Sequence, residues 1–319
     1  MNAVRFFLRV NVRNRLPEFS TPILRIVVSM AFMAFATMGC DKLGLGEGGN
    51  PSGPTPTGPL PAGTPVVYTA VGASDAQGIG SSVPCLPFID CPDGMGYPQI
   101  VTRQLKARGF TATLANLGIP TAVIGRDFET LAQQYNRFIV GNFIDQELPF
   151  VPRNSTLVTI FAGGNEVNTI TAALGGGAGG VDPAGYIDRQ VMAFANDYAT
   201  LVSGLRDRAN GARIIALNPP NLAGTPSLAS ASLAQRQAAQ RASVGMAAAV
   251  NAFTSQGVTV VDLMCDSRTY LPSTYSSDGF HPSDAGYTFI ANEILSAATT
   301  SSYPPPRSSC PQNTVVPNP

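Results

Sequence analysis

Val66-Val67-Tyr68-Thr69-Ala70-Val71 runs without a break into Gly72-Ala73-Ser74-Asp75. An apolar run rich in β-branched and aromatic residues predicts a strand buried on both faces. The Gly-Ala-Ser-Asp that follows predicts a tight turn at its carboxyl end. The pattern then recurs. A helix is expected over 98–108, a second strand at Phe110-Thr111-Ala112-Thr113-Leu114-Ala115, and a helical stretch over 127–143. Thr156-Leu157-Val158-Thr159-Ile160-Phe161 reads as a third strand, 186–210 as a long amphipathic helix, and 212–217 as a fourth strand. An Ala-rich helix over 233–256, a fifth strand at Val258-Thr259-Val260-Val261-Asp262-Leu263 and a closing helix over 284–298 complete the series. Five buried strands alternating with helices imply an α/β fold in three layers, a parallel sheet covered on both faces.

Such sheets place their sites beyond the carboxyl ends of the strands. The first strand enters Gly72-Ala73-Ser74-Asp75, the second Asn116-Leu117-Gly118-Ile119-Pro120, and the third Gly163-Gly164-Asn165-Glu166. After the fifth comes Ser277-Asp278-Gly279-Phe280-His281-Pro282, which holds the only histidine of the chain. With a flavodoxin-like strand order the first and third strands are neighbours, so Ser74 and Asn165 emerge side by side with Gly118 adjacent. His281 is then the general base for any serine or water nucleophile, and Asp278, three residues earlier in a turn, is placed to orient its imidazole. Ser74, exposed on a tight turn, is the candidate nucleophile. The amides of Ser74 and Gly118 and the side chain of Asn165 are candidate donors to an oxyanion. Taken singly, each segment has a plainer reading: an N-cap at Ser74, turns at Gly118 and Asn165, and a helix entry at Asp278.

Their joint order resembles the SGNH, or GDSL-like, serine hydrolase family, which has a Gly-Asp-Ser block, a Gly block, a Gly-x-Asn-Asp block and a terminal Asp-x-x-His. Here these are Gly72-Ala73-Ser74, Asn116-Leu117-Gly118, Gly163-Gly164-Asn165-Glu166 and Asp278-Gly279-Phe280-His281, with Ala73 and Glu166 where the family carries Asp. The resemblance spans 66–298. It implies the SGNH hydrolase fold, Ser74 as nucleophile, His281 as base, Asp278 as its partner, and an oxyanion hole of Ser74, Gly118 and Asn165. It implies an esterase or lipase that uses neither cofactor nor metal.

The amino-terminal 1–39 segment reads as targeting. Arg5, Arg9, Arg13, Arg15 and Arg25 precede an apolar run over 26–38 that is shorter than the roughly 20 residues of a membrane span. Thr37-Met38-Gly39-Cys40 resembles a bacterial lipoprotein lipobox, implying cleavage after Gly39 and lipidation of Cys40. A plain signal peptide or an uncleaved anchor are the alternatives, and all three export the domain to the cell envelope or beyond. Five of the 20 basic and one of the 20 acidic residues lie in that segment. The remaining 15 and 19 give a net charge of about −4, with no basic stripe for nucleic acid. Residues 40–64 form a Gly/Pro-rich tether, 65–300 the hydrolase domain, and 301–319 a Pro-rich tail.

Cys85, Cys91, Cys265 and Cys310 remain, and in an exported protein they can pair in three ways. Proximity favours Cys85 with Cys91, leaving Cys265 with Cys310 to staple the tail. No close Cys-x-x-Cys spacing favours zinc. The Gly-rich 175–180 segment is expected as a loop over the site, and Leu117, Ile119, Val167, Ile170 and Phe280 as either an acyl pocket or core. The substrate is expected to be an acyl ester, whether small molecule, lipid or polysaccharide. An acyltransferase using the same residues, or a non-catalytic envelope lipoprotein binding a ligand on the same scaffold, are the competing readings. An imidazole base works only when deprotonated, so kcat/KM is expected to rise from acid to neutral pH. Substitution Cys40→Ser is expected to move the protein from the membrane to the soluble fraction; unchanged membrane retention would exclude lipidation as the anchor.

Overall fold

Strand and helix alternate in the computed structural model, which describes residues 58–86 and 89–318. The targeting segment and Cys40 lie outside the described residues. Strand β1 (Pro65–Gly72) leads through a single helical turn, α1 (Ser74–Gln77), to α2 (Tyr97–Ala107) and β2 (Thr111–Asn116). Helices α3 (Arg126–Gln134) and α4 (Phe143–Gln146) precede β3 (Leu157–Phe161). Helices α5 (Gly164–Gly175) and α6 (Pro183–Arg208) lead to β4 (Arg213–Leu217). Then come α7 (Leu233–Asn251), β5 (Thr259–Val261) and α8 (Asp284–Thr299).

The five strands are all parallel in the order β2-β1-β3-β4-β5, the flavodoxin-like arrangement. Side-chain alternation along each strand feeds two cores. Tyr68, Ala70, Leu157, Ile215, Leu217 and Val261 pack with residues of α2 and α8 on one face. Val71, Val158, Ile160, Ile214, Ala216 and Val260 pack with α3, α5, α6 and α7 on the other. Because both faces are apolar, the strands read as continuous hydrophobic runs. Two buried polar side chains of β1 find side-chain partners: Tyr68 pairs with Thr159 of β3 at 2.9 Å and Thr69 with Ser155 at 2.8 Å. The register Gly72↔Phe161 brings β1 and β3 to an end side by side.

Three expectations change. The helical stretch over 127–143 stops at Gln134, because Asn136 takes a left-handed φ of 56° and the chain turns back to bridge Val123 through Asn142. The segment after β3, read as a turn, opens helix α5. That helix is 12 residues long, so its ends lie about 18 Å apart. The Gly-rich 175–180 loop follows its far end and lines a groove with Pro183, Ile187 and Ala238; it does not cover the site.

Both ends of the domain are fastened. Leu60 is buried and its N–H donates to the Ala298 carbonyl at 2.9 Å, so ordered chain begins before the expected boundary at 65. Cys85 is bonded to Cys91 and Cys265 to Cys310. Beyond Cys310, the buried Gln240 side chain of α7 accepts from the Val316 N–H at 3.0 Å and donates to its carbonyl at 2.8 Å. Among the described residues no helix is long and apolar enough to cross a membrane. The two disulfides mark an exported protein. The Cys265–Cys310 bridge closes 45 residues of chain. Its removal as Cys265→Ser/Cys310→Ser is expected to cost about 2 to 4 kcal/mol in denaturant unfolding; an unchanged midpoint would show that packing alone holds the tail.

Candidate active site

The imidazole of His281 joins two segments far apart in sequence. Its Nδ1 lies 2.6 Å from Asp278 Oδ2 and its Nε2 lies 2.8 Å from Ser74 Oγ. An ionised carboxylate only accepts, so Nδ1 carries the proton and Nε2 is left to accept from the serine hydroxyl. Ser74 is the first residue of α1 and is 6% exposed. Its N–H stands where a helix has no acceptor of its own.

The loop that carries the pair is built by Asp278 itself. Oδ1 accepts from the Ser276 hydroxyl at 2.9 Å, the Phe280 N–H at 2.8 Å and the His281 N–H at 2.9 Å, while Oδ2 takes the imidazole. This Asx-type turn is why a spacing of three residues suffices. Gly279 makes the turn possible: its φ is +70°, and a Cβ there would lie 2.8 Å from the Ser227 nitrogen. Burial raises the Asp278 carboxyl, but hydrogen bonds from His281, the two backbone amides and Ser276 outweigh it and hold the group at about 2. Asp278 is therefore ionised at neutral pH.

Gly118 lies against the α1 turn, where a Cβ would meet Ala76 Cβ at 2.6 Å and the Ala73 carbonyl at 2.9 Å. Its N–H donates to Asn116 Oδ1 at 3.2 Å, and Asn116 Nδ2 donates in turn to the Ala76 carbonyl. Asn165, in the first turn of α5, is 9% exposed and donates one Nδ2 hydrogen to the Ala122 carbonyl at 2.9 Å. An amide nitrogen has two hydrogens, so one remains. The structure thus brings Ser74, His281 and Asp278 into one hydrogen-bonded line, with Gly118 on the Ser74 turn.

A narrow cavity of about 50 Å³ beside them is lined by Ala73, Asp75, Asn165, Tyr275 and Phe280 among others. Burial pushes the Asp75 carboxyl up, and the nearby His281 pulls it part of the way back. Of the apolar residues considered for an acyl pocket, Leu117, Val167 and Ile170 are fully buried core. Ile119 and Phe280 are only partly covered, and the Phe280 ring stands edge-on to the imidazole with centroids 4.9 Å apart. Among the described residues no group of three His, Cys, Asp or Glu could hold a metal ion.

Glu166 gains a role that its sequence position did not reveal. Oε2 accepts from the Gly163 N–H at 2.8 Å and Oε1 from the Ile124 N–H at 2.6 Å. One carboxyl thereby ties the start of α5 to the loop after β2. Only the Gly163 contact, three residues away, is legible from sequence as a capping pair.

A family model described as GDSL-like Lipase/Acylhydrolase family matches residues 70–289. Among solved structures the chain is similar to a lipase from a goat rumen metagenome, at 15% identity and a TM-score of 0.49, covering 74% of this chain and 98% of that one. It is similar to an extracellular lipase of Streptomyces rimosus at 17% identity and a TM-score of 0.49, covering 73% and 100%. An acetylxylan esterase of Geobacillus stearothermophilus follows at 15% identity and a TM-score of 0.47, covering 77% and 99%. No curated protein matches the sequence.

Burial raises Glu166 from 4.5 to about 7, against the opposing pull of its backbone donors and Arg137. In the unfolded chain it ionises near 4.5, so ionising it in the fold is costly. That cost is absent below pH 4.5 and complete above pH 7, at roughly 3 kcal/mol. In Glu166→Gln the cost vanishes, but a side-chain amide then faces a backbone N–H. The variant is expected to be less stable than the parent at pH 5, with a deficit that shrinks by pH 8 in urea unfolding. A deficit independent of pH would show that Glu166 titrates normally.

Proposed function

Because the chain belongs to the GDSL-like Lipase/Acylhydrolase family, we propose that it cleaves carboxylic esters through an acyl-enzyme formed on Ser74. Family membership makes the protein a hydrolase of the esterase/lipase type; the proposal adds the residues and the route. The observation that carries it is the line from Asp278 Oδ2 through His281 to Ser74 Oγ, at 2.6 and 2.8 Å.

In the first half-reaction Ser74 Oγ attacks the ester carbonyl carbon while its proton passes to His281 Nε2. Asp278 keeps the imidazole in the tautomer that can accept this proton and stabilises the imidazolium that results. The negative charge on the former carbonyl oxygen meets the N–H groups of Ser74 and Gly118 and the remaining Nδ2 hydrogen of Asn165. Each such donor contributes about 2.7 to 4 kcal/mol to the transition state. The tetrahedral adduct collapses, the C–O bond to the alcohol breaks, and His281 returns its proton to the departing alkoxide. Water then attacks the acyl group, giving one proton to His281 and displacing Ser74, which recovers that proton as the acid leaves. The Gly118 amide must leave its 3.2 Å bond to Asn116 to serve the oxyanion, and the length of that bond makes the exchange inexpensive.

The substrate is a small-molecule acyl ester whose acyl part reaches the cleft beside Phe280 and Asn165. An export leader ending at Gly39 and a lipid on Cys40 would hold the enzyme at the cell envelope. The test is hydrolysis of acyl esters from short to long chain by residues 58–319 and by Ser74→Ala. The expected result is turnover in the parent, rising from acid to neutral pH, and a loss of at least a thousandfold in the variant. Equal rates in the two proteins would overturn the mechanism.

A further inference from the structure

A second buried carboxyl lies at this rim and takes no part in the hydrogen-bond line. Glu147, at the end of α4, is 0% exposed, and the described residues give it no ion-pair partner. Its Oε2 accepts from the Gly72 N–H at 2.9 Å, and Oε1 is unpaired. Its backbone is fixed on both sides: its N–H donates to the Phe143 carbonyl at 3.1 Å, and its carbonyl accepts from the Phe150 N–H at 2.9 Å. The Phe143 side chain anchors that turn in the core.

The reason for a carboxyl at this point is in the sheet. The Gly72 carbonyl accepts from the Ile119 N–H at 3.2 Å, so it faces the β2 side. Within a strand the N–H and C=O of one residue point to the same side, so the Gly72 N–H also faces where β2 would have continued. But β2 has ended at Asn116. Glu147 reaches in and supplies the acceptor that the departed strand no longer offers. Gly72, which it meets, and Ile119, which is bonded to Gly72, flank the candidate oxyanion donors: Gly72 lies two residues before Ser74, and Ile119 lies one residue after Gly118.

We propose that Glu147 is a positioning residue that sets the separation of the Ser74 and Gly118 N–H groups by holding Gly72, whose carbonyl in turn takes the Ile119 N–H. The proposal rests on the catalytic reading given above. A neutral acid suits this place, since a fixed negative charge so close to the donors would oppose the oxyanion that they stabilise. Burial without a counter-ion does push the Glu147 carboxyl well above the usual range, with the Gly72 and Ile119 amides pulling it only part of the way back. Glutamine, uncharged and of the same shape, keeps the acceptor; leucine fills the space and offers none.

The experiment compares the parent, Ser74→Ala, Glu147→Gln and Glu147→Leu on one ester, with thermal melts and amide hydrogen exchange of each. In Glu147→Leu, kcat is expected to fall tenfold to a hundredfold with KM changed less than twofold, as a small displacement of donors produces. In Glu147→Gln, kcat is expected to recover to within about threefold of the parent. A Glu147→Leu protein that melts lower but keeps its kcat would overturn the proposal, leaving Glu147 a purely structural group. So would a Glu147→Gln variant as slow as Glu147→Leu. If Glu147→Leu does not fold, Glu147→Gln decides: slow exchange retained at the Gly72 amide supports the clamp, and fast exchange there refutes it. A parent without Ser74-dependent turnover would defeat the catalytic reading, while the exchange data would still test the contacts made by Glu147.

Discussion

Where a parallel sheet ends, its backbone N–H groups lose the partners that the next strand supplied, and a buried N–H without an acceptor is costly. The carboxyl rim of this sheet is arranged around that constraint. Gly72 is met by Glu147, Gly163 and Ile124 by Glu166, and Gly118 by Asn116. Side chains from three different segments stand in for the missing ladder. The loop after β2 is thereby held at Gly118 and Ile124, and the Asn165 amide fixes the Ala122 carbonyl between them. A site made of backbone amides needs such support, because an amide cannot be aimed by rotating a side chain.

The histidine end solves a different problem. Asp278 accepts four hydrogen bonds with two oxygens, three of which fold its own loop and one of which orients the imidazole. Shape and electrostatics are therefore coupled in a single carboxylate. Glu147 and Glu166 are its opposites: both are fully buried, both are raised by that burial, and neither meets a cation in direct contact. The rim holds one carboxyl that its donors keep low, Asp278, and three that burial raises, Asp75, Glu147 and Glu166.

The layers and the rim positions of Ser74, Gly118, Asn165, Asp278 and His281 were legible in the sequence, because each rests on a local signal; the flavodoxin-like strand order was an assumption from fold class that the sheet matches. Hydrophobic runs mark strands buried on both faces, and polar residues directly after them lie on the rim. The rest depended on contacts that local pattern does not carry. Helix α5 was hidden because glycines bound it at both ends, and with it the true place of the 175–180 loop. Asn136 ended α3 by a backbone conformation that its neighbours did not signal. Glu147 sits 75 residues from Gly72, and nothing around it in sequence separates it from a surface glutamate. Val167 and Ile170 share helix α5 with Asn165 yet face the core, since residues two and five apart on a helix point in different directions.

The fastening of Leu60 to Ala298 has a directional consequence. Helix α8 begins beside the His281 loop and runs back along the sheet, so its last turn, where Leu60 attaches, is at the amino edge of the strands. The eight residues of β1 then carry the chain roughly 26 Å across the domain before it reaches Ser74. The described chain thus starts at one pole of the domain, and Ser74 lies at the other. The long axis of β1 therefore separates the fastened Leu60 end of the domain from the rim where the cleft opens.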